Sequence, residues 1–196
     1  MSSDNLSYFL EYMRQGEIKR MIHRFFDELN KKKAKSIAVV SLKPGEGRTF
    51  LVAVLAVAAA IFMKKKVLVV DTTSQPDQGH LYLERIFGQA SLEKYVDLIS
   101  PQYSSNGNDD VADFKLKELI DLYQNKYDLV IFDTTAIQSD NSSGMDPVIV
   151  AKTAGHAVIA ISGQSVTSGD FKQLQGQMRD WGISPLGTIY NFGSAK

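Results

Sequence analysis

Residues 36–50 read Ser36-Ile-Ala-Val-Val-Ser-Leu-Lys43-Pro44-Gly45-Glu46-Gly47-Arg48-Thr49-Phe50. The β-branched apolar run stops at a turn rich in Gly and Pro, and a second apolar stretch, Phe50 to Met63, starts at once. Strand, glycine loop and helix in that order are the context of a phosphate-binding loop. Gly45 and Gly47 can adopt backbone angles closed to other residues, which lets successive N–H groups turn inward around an anion. The helix that begins near Gly47 adds its unpaired N–H groups and the positive end of its dipole. The same residues also suit a glycine-rich turn that holds nothing.

The usual loop reads G-x-x-x-x-G-K-[ST]. Setting Gly47 on the second glycine places Leu42 on the first, Arg48 on the lysine and Thr49 on the metal-binding hydroxyl. Arginine keeps the charge, but its guanidinium is planar, forked and longer than a compact ammonium.

Outward from this stretch the chain alternates. Apolar residues at helical spacing fill 5–30, with Gly16 as a divider between two helices. Lys31, Lys32, Lys33 and Lys35 follow, read as a solvated helix end that suits the dipole rather than as a DNA or lipid site. Buried strands are expected at Ile37–Ser41, Val67–Asp71, Leu129–Asp133, Ala157–Ser162 and Leu186–Asn191. Helices are expected at 47–63, Leu81–Phe87, Leu92–Ile99, Val111–Asn125, Asp146–Thr153 and Gly169–Trp181, with a mobile polar loop over 100–110. The expectation is an α/β, three-layer P-loop NTPase fold with a mostly parallel central sheet. The division expected is an N-terminal helical segment over 1–35 and a nucleotide-binding domain over 36–196.

Composition narrows the function. The 22 basic and 22 acidic residues cancel, so no global field draws in nucleic acid or an anionic membrane. With no cysteine there are no disulfides and no thiolate metal sites. His23, His80 and His156 show no ligand spacing and read as surface or packing residues. The N-terminus carries no signal-like pattern, and Phe50 to Met63 is too short to span a bilayer. A soluble cytoplasmic protein is expected.

In open α/β sheets ligands bind beyond the carboxyl ends of the strands. The loop after the first strand, Asp71 after the second and Asp133 after the third converge there. Phosphoryl chemistry needs a phosphate cradle, a metal and carboxylates to hold the metal or its waters. Thr49 can supply a hydroxyl, Asp133 ends an apolar strand in the manner of a Walker B element, and Asp71 can orient a water or a hydroxyl. Each aspartate equally suits a turn or a helix cap.

These residues resemble the ParA/MinD superfamily of P-loop ATPases, and most of all its bacterial tyrosine kinase (BY-kinase) branch, which is paired with capsule and exopolysaccharide machinery. Pro44-Gly45-Glu46-Gly47 followed by Arg48-Thr49 resembles that branch's P-G-E-G-K-[ST] loop. Val67 to Asp71 resembles its Walker A′ strand, and Tyr127 to Thr134 its Y-D-x-V-I-I-D-T stretch. Later segments from Asp146, Ala157 and Pro185 keep register, so the likeness runs over roughly residues 17–192. The resemblance implies that ATP or ADP is bound with Mg2+. Gly45, Glu46, Gly47 and Arg48 would surround the phosphates, flanked by Lys43, Pro44 and Phe50, and Thr49 would bind magnesium. Asp71 would be the catalytic A′ carboxylate, Asp133 the Walker B carboxylate, and Asn191 the reader of the adenine edge. Lys43 falls on the signature lysine of ParA/MinD proteins. Glu17, Arg20, His23 and Arg24 partly resemble the family's oligomerisation helix, implying a homo-oligomer formed through the N-terminal helices, with Phe25 and Phe26 flanking a charged face. A membrane-bound polysaccharide co-polymerase is the implied partner, which would recruit the chain to the inner face of the membrane; no nucleic acid is expected.

Five departures point toward lost catalysis. Arg48 replaces the loop lysine, and Thr73 replaces the second A′ acid. Ser74 and Gln75 stand where basic residues are expected, and Thr134-Thr135-Ala136 where prolines are usual. The tyrosine-rich tail of such kinases does not follow Asn191. Three readings therefore remain. One is a degenerate ATP-binding regulator or scaffold of envelope polysaccharide biogenesis. Another is an active ATPase or tyrosine kinase that uses Arg48 or Lys43 with Asp71 and Asp133. The third is a ParA/MinD-type positioning switch.

Overall fold

The computed structural model describes residues 3–73, 78–88, 91–101, 109–139, 144–163 and 166–191. The N-terminal apolar pattern folds as α1 (Ser3–Arg14) and α2 (Gly16–Lys31), with Gln15 leaving the helical region between them. β1 (Ser36–Ser41) leads through the glycine loop into α3 (Arg48–Met63), and β2 (Val67–Asp71) into α4 (Gln78–Phe87). β3 (Val96–Ile99), α5 (Asp109–Gln124) and β4 (Leu129–Asp133) follow. α6 (Pro147–Ala154), β5 (His156–Ser162), α7 (Ser168–Asp180) and β6 (Ser184–Asn191) complete the order.

The six strands form one sheet in the order β3-β2-β4-β1-β5-β6, and every neighbouring pair is parallel. Strand residues alternate between two layers. Ile37, Val39, Val69 and Ile131 face α1 to α4, while Ala38, Val40, Val70 and Phe132 face α5 to α7. Central strands covered on both faces have no polar side, which explains their unbroken apolar runs. Because all strands point one way, the ends of β1, β2, β4, β5 and β6 share one edge.

One element differs from the sequence expectation. Residues 92–99 do not form a helix. A turn in which Tyr95 and Val96 N–H groups donate to the Leu92 carbonyl leads into β3, which pairs with β2. The open edge of β2 offers Val96 and Leu98 a ladder, and this tertiary pairing overrides a helical spacing that lasts barely a turn. Most of the polar loop expected over 100–110 lies outside the described residues. The helices α1 and α2 pack Phe9, Met13, Phe26 and Leu29 into the same apolar cluster as α3.

Local chemistry fixes the helix ends. Asp146 caps α6 by accepting from the Val148 and Ile149 N–H groups, and Pro147 occupies the first turn. Thr167 and Asp170 form a reciprocal capping box at α7. In contrast, α3 starts at Gly47 with no side-chain cap. No helix among the described residues is long and apolar enough to cross a membrane.

Candidate functional site

The loop between β1 and α3 is shaped from beneath. Gly45 and Gly47 have φ of 81° and 87°, in the left-handed region that L side chains resist. Glu46, 1% exposed, turns its carboxylate inward. Oε2 accepts from the N–H groups of Leu42 and Lys43, both at 2.9 Å, and Oε1 from the Ser162 N–H at 3.3 Å. Glu46 therefore staples the loop to its own root and to the end of β5. What it can offer a ligand is its backbone, because its charge is turned inward.

Arg48 is also turned inward. Its Nη1 donates to Ser41 Oγ at 3.0 Å, and that hydroxyl donates to the Lys43 carbonyl at 2.9 Å. The guanidinium is thus tied across the loop to the last residue of β1. The Lys43 charge is felt at α7: after the Thr167 backbone and hydroxyl bonds, it helps hold the Asp170 carboxyl below its usual range. Pro44 and Gly45 are exposed at the loop tip, and Thr49 lies partly exposed in the first turn of α3. The Phe50 ring sits edge-on to Phe9 and Tyr12, with centroids 5.8 and 5.5 Å away, so it joins the loop's helix to α1. Asn191 reaches the loop from β6, its Nδ2 only 2.5 Å from where a Cβ on Gly47 would stand. A cavity of about 490 Å3 opens beside this contact, lined by Tyr12, Gly47, Phe50, Val54 and Asn191 among others.

The two strand-end aspartates pair in register across β2 and β4. Asp71 Oδ1 accepts from the Thr73 N–H at 3.0 Å and from its hydroxyl at 2.8 Å. Oδ2 lies 2.8 Å from His80 Nδ1, and His80 Nε2 lies 3.4 Å from Glu84 Oε1. An ionised carboxylate only accepts, so Nδ1 is the donor. Asp133 is 4% exposed and has contacts of its own, and its Oδ1 is a buried acceptor to which no donor is directed. Two threonines that follow the strand-end aspartates lace the strand ends together. Thr134 donates to the Val39 carbonyl, while Thr72 donates to that of Asp133 through both its hydroxyl and its N–H.

Magnesium with a nucleotide uses few protein ligands, with phosphate oxygens completing its shell. Among the described residues no three His, Asp or Glu side chains gather to hold a metal alone. The donor set fits that mode in part. The glycine N–H groups and the uncapped start of α3 suit phosphates, and Thr49 and Asp133 offer oxygens. Asp71 is the exception, since its oxygens are engaged by Thr73 and His80. The structure brings Lys43 to Phe50, Asp71, Asp133 and Asn191 to one edge of the sheet. Ser74 and Gln75 lie outside the described residues. Sequence reasoning missed His80, read as a surface or packing residue. Nothing local marks it, because the contact depends on where α4 begins.

No family model matches the chain. It is similar to the "Putative tyrosine-protein kinase EpsB" of Ralstonia solanacearum, 25% identical over 166 residues that take in 76% of this chain. The chain spans only 22% of the length of that relative. The kinase domain of the Escherichia coli tyrosine kinase ETK superposes with a TM-score of 0.65 at 19% identity, over 85% of this chain and 72% of that one. The septum site-determining protein MinD of Pyrococcus horikoshii, solved with Mg-ADP, gives 0.60 at 22% identity, over 83% and 72%. The chain thus has the α/β fold of ParA/MinD-type P-loop proteins, and its sequence resembles the tyrosine-kinase branch of that superfamily.

Proposed function

We propose that the chain is a nucleotide-binding regulator or scaffold of an exopolysaccharide or capsule system, built on a BY-kinase-like P-loop domain whose catalysis is attenuated. The observation that carries this reading is the bond from Arg48 to Ser41. The loop cation is held by the root of its own loop at 3.0 Å. A cation so held can support ground-state binding of phosphates, but a rate increase requires contacts that strengthen in the transition state. The cavity beside Gly47 and Asn191 is where a base would lie, with Asn191 at its edge. ADP and ATP would bind through residues 43–50, and Mg2+ would meet Thr49 and Asp133.

Calorimetry of ADP and ATP with Mg2+, on wild type and Arg48→Lys, tests this. We expect micromolar binding by both proteins, with hydrolysis rising in the lysine variant. Failure of both proteins to bind removes the nucleotide from this reading. Robust wild-type turnover that Asp71→Ala abolishes would instead establish an active ATPase or kinase. That second reading is favoured by the in-register placement of Asp71 and Asp133.

The partner in this reading is a membrane-bound polysaccharide co-polymerase, with the chain working at the cytoplasmic side. Phe26, 1% exposed, belongs to the core, and Phe25, 7% exposed, contributes only a small surface to the groove between α2 and β6. The polar face of α2, with Glu17, Arg20 and Arg24, borders this groove of about 820 Å3. Reversal of both arginines to Glu is expected to lower the sedimenting mass if this face self-associates. An unchanged profile removes it.

A further inference from the structure

Asp71 is the position where this site departs furthest from a metal-ready arrangement. Its carboxylate is 2% exposed, so water does not balance it. It stands beside a second buried carboxylate, Asp133, at the same level of the sheet. Two such groups repel unless a cation or strong donors intervene. In this chain the donors are protein groups. Thr73 supplies two, from the position where an acid is expected. His80 supplies the third, from the first turn of α4.

The histidine is held, not merely near. Its side chain is 11% exposed, and its second nitrogen faces Glu84 one turn along the same helix. The ring is thus fixed between two carboxylates, with the inner one at the shorter distance. A carboxylate offers about four acceptor directions, and three donors already point at Asp71.

We propose that His80 is a positioning residue that stands in for the hydrated metal at Asp71, so that a divalent cation reaches this carboxylate only when His80 leaves. The inference deepens the nucleotide-site reading and rests on it for its purpose, though not for its test. It accounts for a catalytic-type aspartate that is retained while its second acid is replaced by a donor. Such a contact sets the metal affinity of the site from outside the loop, and movement of α4 would change it.

Manganese alone, titrated into the full chain and followed by electron paramagnetic resonance, reads this directly. His80→Ala is expected to bind Mn2+ about tenfold more tightly than wild type, the scale of one hydrogen bond to a charged group. Asp71→Asn added to that variant should abolish the gain. His80→Asn, which keeps a donor near the place of Nδ1, should bind like wild type. If His80→Ala does not fold, His80→Phe fills the space without a donor and is expected to show the same gain. Unchanged or weaker Mn2+ binding in the donor-less variant overturns the inference, as does a gain that survives Asp71→Asn. Metal-free calorimetry with ADP separates the two readings. Loss of ADP binding in every variant would overturn the nucleotide site, while the Mn2+ comparison still decides His80.

Discussion

Asp71 and Asp133 are direct partners at the ends of β2 and β4; Asp71 accepts from His80 and Thr73, whereas no donor is directed at Asp133 Oδ1. The pair is therefore asymmetric. Asp71→Ala removes the acceptor of the part-buried Thr73 and His80 donors, and should cost about 1–3 kcal/mol of stability. Asp133→Asn retains an acceptor and should cost less. Urea denaturation of both variants without metal measures the difference. The reverse order would mean that the metal-free fold leans on Asp133.

Glu46 is expected to matter more for folding than for any ligand. Glu46→Ala leaves the N–H groups of Leu42, Lys43 and Ser162 without their acceptor. A loss of about 1–3 kcal/mol in chemical denaturation is expected. Glu46→Gln keeps one carbonyl oxygen and should lose less. Equal stability of Glu46→Ala and wild type would show that the loop does not need the staple.

The two loop glycines should separate two costs. An added Cβ at Gly45 meets nothing within 4 Å, so Gly45→Ala carries only the left-handed backbone penalty, about 1–2 kcal/mol. Gly47→Ala adds a clash with Asn191 Nδ2 at 2.5 Å. Asn191→Ala should relieve the second cost and not the first, a coupling that a double-mutant cycle reads. Additive effects would place Asn191 away from the loop in solution.

Tyr127 gives a pH signature remote from the site. Burial, then its hydrogen bond to Asp97 at 2.8 Å, pushes its hydroxyl up to about 12. The folded state holds this proton more tightly than the unfolded chain does. Its contribution is therefore complete below pH 10, the ordinary value, and is lost as pH rises through about 12. Thermal melts over that interval should fall less steeply for Tyr127→Phe than for wild type. Parallel slopes would refute the assignment.

Removal of residues 1–30 is expected to unmask the core rather than merely detach a module. It strips Phe9, Met13, Phe26 and Leu29 from the apolar cluster they share with α3. Phe26→Ala alone, at a side chain 1% exposed, should cost about 3–5 kcal/mol. A truncated chain with an unchanged melting temperature would show instead that 36–196 folds independently.

Much of the fold was legible because the decisive residues act locally. Apolar runs of strand length announced β1, β2 and β4, and the glycines announced the loop. The carboxylates were visible because each ends such a run. What remained hidden depends on distant partners. β3 forms because β2 has an open edge, and Phe25 and Phe26 lie inward because α2 packs against β6 and α1. The inward turn of Glu46 rests on donors from Leu42 and Ser162, which are 4 and 116 residues away. His80 reaches Asp71 across a helix start that no pattern fixes.

Ten consecutive residues of α3, Leu51 to Ala60, are buried. The helix behind the loop is held by the core and not by a ligand, and Glu46 already supplies an anion to the loop's N–H groups. The shape of the cradle is thus inherited with the ability to fold. Exchange of Arg48 for lysine, or of Thr73 for an acid, would therefore leave the scaffold intact. If catalysis is attenuated as proposed, few substitutions would restore it, because the scaffold that shapes the pocket does not depend on them.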